Sequence, residues 1–555
     1  MRISARILPV AILMLAACRG ADRNAPATPS TLVMTLPADA DNLFPPFSTN
    51  ETSVQVGSVL FERLAEIGDS LHYVGDGGFQ PALANSWTWA PDSMSIAFHL
   101  DPKAHWHDGV PVRAADVVYS YHVNTSKAVG SPVAPLITNI DSVSAPDSIT
   151  AVFWFHSRKL EQFYDVTQIQ VLPAHLLRNV PDSALATSPF GRNPVGSGPY
   201  RFVRWVSGST IEVAADSTFH RGRPRIDRVV WSIAQNRDAA MLRLFSGEAN
   251  FAQNLRKQDL EQMERHPELK TVRYPSMLVY FIRLNERARG GKHGAHPVFG
   301  DRDVRRALTM AIDRRRAVTT VFDSSTRVAK GPITSALSTY DSTLPSLPYA
   351  PDSAVRILEQ RGWVMGKDGV RHKGAATLQF SVLVPVTSTQ RQQMAVLLQD
   401  MWKKVGARMD IESVDFPTMG AREGARDFDA AFEGMSLDPT PSGIRQEWST
   451  AAALAGGASN TGYYTSTTFD KTVDSAVASS DPALAIAQYR RAYATIIEDA
   501  PGIWMYESPS FAGMSRNIHP ARMRADLWFA HLADWSIGDD RAPKRESVAL
   551  AAGAH

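Results

Sequence analysis

The segment from residue 378 to residue 411 changes the spacing of its apolar residues twice. Apolar and polar residues alternate over 378–384 and again over 407–411, which is the period of a strand with one buried face. The apolar side chains between these segments fall at helical spacing and are Met394, Leu397, Leu398, Met401 and Val405. Gly406 follows them, where a helix end favours a residue that tolerates positive φ. Strand, helix and strand in this order predict a βαβ unit, and therefore an α/β fold with a largely parallel sheet.

The chain is too long for a single hydrophobic core. It has 555 residues, whereas one core stops growing at about 250–300 residues. Apolar residues make up 44% of the chain and charged residues 21%, the balance of an ordinary globular protein. The formal net charge is only +2, which argues against a nucleic-acid partner. We therefore expect several domains and no nucleic-acid function.

Residues 1–18 have the pattern of a secretory leader. Arg2 and Arg6 precede an apolar run over 7–17. This run ends in small residues before Cys18, the only cysteine of the chain. This resembles the bacterial lipobox and implies that residues 1–17 are removed, that Cys18 is acylated and that 18–31 form a tether. An ordinary signal peptide containing a cysteine is the alternative. Because no later stretch approaches about 18 consecutive apolar residues, we expect a lipid-anchored protein that does not span the membrane.

The N-terminal third favours small antiparallel sheets, because Pro-Asp-Ser turns separate short apolar runs such as 95–100 and 149–155. The stretch H-W-H-D-G over 105–109 lies between a predicted strand and a predicted helix. His105 and His107 could be metal ligands, but no third ligand is evident. Asp108 and Gly109 are typical turn residues. We predict a surface turn with the intervening tryptophan packed inward, and a metal site remains the alternative.

Sequence motifs of common enzymes are missing. The chain contains no G-x-S-x-G, H-E-x-x-H, Walker A or G-x-G-x-x-G segment. We therefore predict no catalytic residue, no cofactor and no metal. A secreted hydrolase stays open as an alternative, since catalytic groups can assemble from distant positions.

Several segments together resemble the family 5 extracellular solute-binding proteins of ABC importers, the oligopeptide- and dipeptide-binding class. They follow the family's order over roughly 32–530. They are Pro81–Trp87, Phe98–Leu100, Trp106–Pro111, Ala115–Val118, Gly196–Tyr200, Leu284–Asn285, Asp303–Leu308, Ala311–Asp313 and Ala354–Trp363. Two positions depart from the family pattern. Arg113 stands where a capping Thr is usual, and Asp101 where a basic residue is usual.

The resemblance implies a two-lobed fold of the periplasmic-binding-protein type (type II, cluster C) with an extra α+β domain inserted in the first lobe. The first lobe is expected to comprise 32–68, 194–284 and 511–545. The extra domain is expected over 69–193 and the second lobe over 285–510. Residues 546–555 are expected to form a disordered tail.

The resemblance also implies a ligand site in the segment Phe428–Pro439. In the family, the main chain of this strand pairs with an extended peptide, and an aspartate meets the terminal ammonium. By position, Gly434 and Ser436 would supply backbone bonds and Asp438 the carboxylate. An ordinary turn at Asp438-Pro439 is the alternative for that carboxylate.

Further candidate site residues follow from the same resemblance. Met435 stands where the family often has Trp, and Thr440 where an acidic residue often follows, so the ligand preference is open. Asn42 and Phe44 are candidates to line the cleft from the first lobe.

The implied function is that of an extracytoplasmic, lipid-anchored receptor that binds short peptides between its lobes. Its expected partners are a peptide ligand and the permease and ATPase of an ABC importer, and the protein is expected to be a monomer. Other ligands of the same family, namely a nickel chelate, haem or an oligosaccharide, remain alternatives. A sensor that presents its closed form to a signalling receptor is a further one.

Overall fold

The computed structural model describes residues 29–291, 294–322, 326–437, 440–455 and 459–538. The predicted signal peptide over 1–17, the acylated Cys18 and the predicted tail over 546–555 lie outside these ranges, and so does Asp438. None of the described helices is long and apolar enough to cross a membrane.

The first lobe is built on a mixed sheet of seven strands. From edge to edge its strands are Leu269–Tyr274, Ser510–Ser515, Phe251–Ala252, Thr31–Leu36, Arg228–Ile233, Thr210–Ala215 and Tyr200–Val206. Thr31–Leu36 pairs in parallel with both of its neighbours, and the other pairs are antiparallel. The helices of this lobe are Glu51–Leu60, Arg237–Ser246 and Lys257–Met263. A short strand pair, Ile518–His519 with Ser536–Ile537, follows near the C-terminus.

The second lobe contains a five-stranded sheet with the order Arg408–Val414, Gln379–Pro385, Ala430–Ser436, Leu278–Leu284 and Gly502–Glu507. Its first two strands are neighbours that pair in parallel, and the helix Thr389–Lys404 connects them. This confirms the predicted βαβ unit. Gly406 has a φ of +80°, as expected for the residue that ends this helix. Trp402 is fully buried and donates its indole N–H to Leu308 O at 2.8 Å, so this helix is anchored to its neighbour.

The other elements of the second lobe surround this sheet. The helices are Arg302–Met310, Arg314–Val321, Pro351–Gln360, Phe416–Gly424, Gly443–Trp448, Thr450–Ala455, Thr467–Ala478 and Pro482–Asp499. A small antiparallel sheet joins Val364–Met365, Arg371–Lys373 and Ala376–Thr377.

The extra domain has a four-stranded antiparallel sheet, as predicted from its turn spacing. The strand order is Ala84–Trp89, Ser95–Leu100, Thr150–Phe155 and Ile140–Ser144. The strands Ala65–Ile67 and Phe79–Pro81 pair beside it, and its helices are Ala114–Thr125, Gln162–Thr167 and Ala174–Leu177. Phe98 and Phe163 pack at 5.5 Å between ring centroids, so aromatic side chains fill this core.

The H-W-H-D-G stretch forms the predicted turn. Gly109 has a φ of +90°, and Asp108 accepts the N–H of Val110 at 3.1 Å. Trp106 is fully buried. The ring nitrogen Nε2 of His107 lies 2.9 Å from Gly198 O. Within the described ranges, no three His, Cys, Asp or Glu side chains are grouped so that they could hold a metal ion.

The chain passes between the lobes at residues 275–277 and 508–509, which we call the two crossings. Leu269–Tyr274 belongs to the first sheet, but the strand that follows it, Leu278–Leu284, pairs in the second sheet. The boundary expected after residue 284 therefore lies about one strand earlier, because this strand finds its partners in the second lobe. The hydroxyl of Ser276 donates to Ser508 O at 2.6 Å and so ties the crossings together.

The extra domain also touches the second lobe directly. Glu161 accepts hydrogen bonds from the Ser442 hydroxyl at 2.5 Å and from the Tyr489 hydroxyl at 3.2 Å. We call these three residues the Glu161 contact. Buried apolar side chains of the extra domain and of the helix Pro482–Asp499 belong to one continuous cluster. The two bodies are therefore in contact at a place other than the crossings.

Candidate functional site

The strand Ala430–Ser436 has one side bonded and one side partly open. Leu437 N donates to Met277 O at 2.8 Å, which fixes the phase of the antiparallel ladder with Leu278–Leu284. Hydrogen-bonded residues alternate along such a ladder. Odd-numbered residues of the strand therefore bond to Leu278–Leu284, and even-numbered residues direct their N–H and C=O to the opposite side.

The opposite side is covered only at the start of the strand. Gln379–Pro385 pairs with it at Ala430 and Ala431 and then diverges. Beyond that point Gly434 and Ser436 are exposed. No described residue hydrogen-bonds to their outward backbone groups, which thus form a short free edge, the kind of surface to which an extended peptide can add as a further strand.

Gly434 is required by close packing. A Cβ atom at this position would lie 2.6 Å from Cε1 of Tyr280. The Tyr280 ring is itself stacked on Tyr506, with 4.5 Å between centroids and 12° between planes. The bare backbone at Gly434 therefore lets the aromatic pair lie against the free edge.

Arg391 marks the other end of the free edge. It is 6% exposed, and its Nη1 donates to Phe432 O at 3.0 Å, which uses the next outward-facing carbonyl of the strand. Its guanidinium lies 5.6 Å from the ring centroid of Tyr280. Its Nε has no hydrogen-bond partner among the described residues, and the guanidinium has no ion-pair partner among them. Burial lowers the pKa of Arg391, but a guanidinium stays charged at neutral pH. The edge thus ends at a buried positive charge that has no carboxylate within ion-pair distance among the described residues, although the charges of Glu433 and Glu423 act on it from further away.

Carboxyl groups lie beside the same strand. Glu433 pairs with Arg283, and Glu447 lies 3.8 Å from the same guanidinium. Arg283 is also held over the ring of Trp448 at 4.7 Å. Burial, followed by the charge of Glu433, raises the pKa of Glu423 to about 8. Glu423, on the helix Phe416–Gly424, therefore holds its proton to higher pH than an exposed glutamate, which reduces the negative charge beside the strand.

Two cavities adjoin these features. The first, of about 230 Å³, is lined by residues at the end of the strand and by the helix after it, among them Met435, Ser436, Ile444 and Trp448. The second, of about 290 Å³, is lined by both crossings and by Glu507. The first cavity adjoins the end of the free edge at Ser436.

Glu507 lines the second cavity and is the last residue of its strand before a crossing. Its carboxylate accepts the backbone N–H and the hydroxyl of Ser335, both at 2.8 Å. Its backbone also bonds to Arg327. Burial raises the pKa of Glu507. These bonds to Ser335 and Arg327 hold the end of the strand in the second lobe and so set the direction in which the chain enters the crossing at 508–509.

The structure brings together only part of the predicted site. Gly434, Met435 and Ser436 lie on one strand end, whereas Asp438 is outside the described residues. Asn42 is partly buried and accepts the N–H of Phe44 at 2.9 Å. Phe44 itself is fully buried in the first lobe and packs edge-on against Phe190 at 5.0 Å. Because its ring belongs to that core, Phe44 is not available to line a cleft.

The spacing of the sequence already places Arg391 on a buried helix face, although no motif points to it. It precedes Met394, Ala395 and Leu398 by three, four and seven residues, so it lies on the buried stripe of its helix. A charged residue on such a stripe needs a buried partner. Its partner, Phe432 O, is 41 residues away, and periodicity alone does not identify it.

Two α/β lobes joined by two crossings, with a free strand edge in the second lobe, define the architecture of a solute-binding protein. The family model described as bacterial extracellular solute-binding proteins, family 5 Middle, matches residues 78–453. The chain belongs to this family, and the predicted family and fold are confirmed. The family is one of binding proteins, so the hydrolase alternative is set aside.

Individual relatives cover nearly the whole chain. The oligopeptide-binding protein AppA of Bacillus subtilis is 27% identical over 489 residues, or 86% of this chain and 87% of AppA. The structure of AppA in complex with a nonapeptide matches with a TM-score of 0.68 at 24% identity, covering 92% of this chain and 100% of that one. The substrate-binding protein CtaP of Listeria monocytogenes matches with a TM-score of 0.79 at 18% identity over the same shares.

Proposed function

We propose that this protein is an extracytoplasmic receptor that binds short peptides at the free edge and delivers them to the permease and ATPase of an ABC importer. The observation that carries the proposal is the closeness of two features: a backbone edge at Gly434 and Ser436 that no described strand covers, and the buried guanidinium of Arg391, which forms no ion pair with a described residue. An extended peptide offers both complements, a main chain and a terminal carboxylate. The relative AppA is named an oligopeptide-binding protein, and its structure holds a nonapeptide.

The peptide runs antiparallel to the strand in this proposal. Its ammonium meets Asp438, which follows the strand, and its main chain pairs with Ser436 and Gly434. Because strand residues rise by about 3.4 Å each, these two rungs extend over about 7 Å. The next outward carbonyl, at Phe432, is already bonded to Arg391. Main-chain pairing is therefore limited to about three peptide residues, and the carboxylate of such a peptide reaches Arg391.

Anchoring and delivery complete the proposal. Acylation at Cys18 holds the receptor at the membrane surface, and the closed arrangement of the lobes is the form that a permease recognises. The proposal takes the receptor to act as a monomer, since one chain carries both the free edge and Arg391 and a partner chain has no part in binding. The family's description as extracellular supports this location.

Calorimetric titration with di- to pentapeptides tests the ligand class. Each peptide is compared with its C-amidated form, in the wild type, in Arg391→Gln and in the control Arg315→Gln, which changes an exposed arginine of the same lobe. We expect amidation to weaken binding to the wild type by about 10- to 100-fold, since hydrogen bonds to charged groups contribute about 1.5–3 kcal/mol. We expect no such difference in Arg391→Gln. Silence across the whole panel, together with binding of a sugar or a metal chelate, would overturn the proposal.

A further inference from the structure

A third cavity, which we call the side cavity, lies away from the free edge. It has a volume of about 410 Å³, and all its lining residues fall within 54–80, 164–170, 199–222 and 524–534. These segments belong to the first lobe and the extra domain, and none lies on the second-lobe sheet. The side cavity is therefore complete without closure of the lobes. Its volume is within the range of about 300–1,000 Å³ typical of small-molecule sites.

Two of the three arginines that line the side cavity are neutralised by carboxylates. Arg524 binds both carboxylate oxygens of Asp526, at 3.0 and 2.9 Å. Arg221 lies 3.3 Å from Glu62 and 3.2 Å from Glu66. These pairs form the polar part of the wall and leave little positive charge of their own for a ligand.

The third arginine, Arg63, is different. Its backbone forms a bridge with Gln170, which fixes the start of its side chain. Its Nη1 donates to Thr167 O at 2.8 Å. No carboxylate of the described chain lies within ion-pair distance of its guanidinium. Burial lowers the pKa of Arg63, yet a guanidinium remains charged, and most of its five N–H donors are left for another acceptor.

We propose that the side cavity binds a small organic monocarboxylate, whose carboxylate pairs with Arg63. The wall limits the ligand to one negative charge. The carboxylates of Glu62, Glu66, Asp526 and Asp534 outnumber the three arginines, so the first negative charge is held only by its contact with Arg63 and a second would be repelled.

The remainder of the wall indicates the body of the ligand. Phe61, Phe219 and Phe529 line the cavity and are each less than a tenth exposed. An aromatic or branched apolar body would pack against these rings, and burial of apolar area contributes about 25 cal/mol per Å². The ligand class is therefore a monocarboxylate with an apolar body, such as phenylacetate.

The test is a calorimetric titration of the whole protein with phenylacetate and with phenylacetamide, which has a similar shape and no charge. We expect saturable binding of phenylacetate at one site and about 10- to 100-fold weaker binding of the amide, from the contribution of a charge-assisted bond. Phenylalanine is a third probe, because it adds an ammonium group. Weaker binding of phenylalanine than of phenylacetate supports the proposed ligand class, and stronger binding overturns it in favour of an amino acid.

Variants assign the site. Arg63→Gln should give the acid and the amide equal affinity, Arg63→Lys should be intermediate, and the exposed control Arg315→Gln should match the wild type. Peptide titration in the presence of saturating phenylacetate separates this proposal from the previous one, since the two ligands should bind independently. Two results would overturn the proposal. One is that phenylacetate shows no saturable binding up to about 10 mM, so that its Kd is above the millimolar range. The other is that the wild type binds the acid and the amide equally well. If Arg63→Gln fails to fold, the comparison of acid and amide in the wild type still decides.

Discussion

Substitution of Gly434 by alanine places one methyl group against the aromatic pair beside the free edge. The added Cβ would lie 2.6 Å from the Tyr280 ring, 0.8 Å short of the 3.4 Å at which ordinary contact begins. The ring cannot retreat freely, because it is stacked on Tyr506. Overpacking of this kind costs about 1–3 kcal/mol. Loss of glycine's freedom in the unfolded chain returns about 0.4–1 kcal/mol, so we expect a net destabilisation of about 1–2 kcal/mol.

The same substitution at Gly420 is a matched control. Gly420 lies in the helix Phe416–Gly424 of the same lobe, and a Cβ there would have no neighbour within 4 Å. Alanine in a helix interior is about 0.5–1 kcal/mol more favourable than glycine, so Gly420→Ala should stabilise. Urea unfolding followed by tryptophan fluorescence measures both variants. In a Tyr280→Ala background the penalty of Gly434→Ala should vanish, as a double-mutant cycle would show. Equal stability of Gly434→Ala and Gly420→Ala would refute the packing argument.

Three further outcomes are expected. Burial raises the pKa of Glu286 to about 7 from 4.5, so the folded state keeps a proton that the unfolded state has lost, and stability falls as pH rises from about 4.5 to 7. Glu286→Gln should flatten the melting temperature over this window, whereas exposed Glu261→Gln should not, and parallel curves would contradict the assignment. Glu161→Gln weakens the Glu161 contact and should increase the radius of gyration of the unliganded protein in small-angle scattering; an unchanged radius would show that the contact does not hold the bodies together. Cys18→Ser should move the protein from the membrane to the soluble fraction and abolish incorporation of labelled palmitate, and retention at the membrane would contradict the lipid anchor.

Features of the fold that depend on local spacing were predictable. The βαβ unit and the turn at Asp108-Gly109 are encoded by residues close in sequence, and both occur as predicted. The boundary between the lobes was misplaced because Leu278–Leu284 is an apolar strand that would suit either sheet. Its pairing with Ala430–Ser436 and with Gly502–Glu507, both far along the chain, assigns it to the second lobe.

The site divides in the same way. Gly434, Met435 and Ser436 could be grouped from the sequence because they lie in one segment that resembles the family's cleft segment. Phe44 could not be placed, since an aromatic residue in a loop turns inward or outward according to neighbours such as Phe190, which lies far along the chain. Arg391 acquires its importance from a carbonyl on another strand. Local sequence thus shows which residue types are present, whereas the direction of a side chain and its hydrogen-bond partner depend on the tertiary structure.

The two crossings have a mechanical consequence. A single linker would let one lobe rotate about the chain axis. The two short crossings, joined by the hydrogen bond from the Ser276 hydroxyl to Ser508 O, resist such twisting and bend most easily in one plane. Pro509 stiffens one of them further, because its ring restricts φ. We therefore expect the lobes to open and close by bending in one plane, so that each closure presents the same combined outer face to a partner protein.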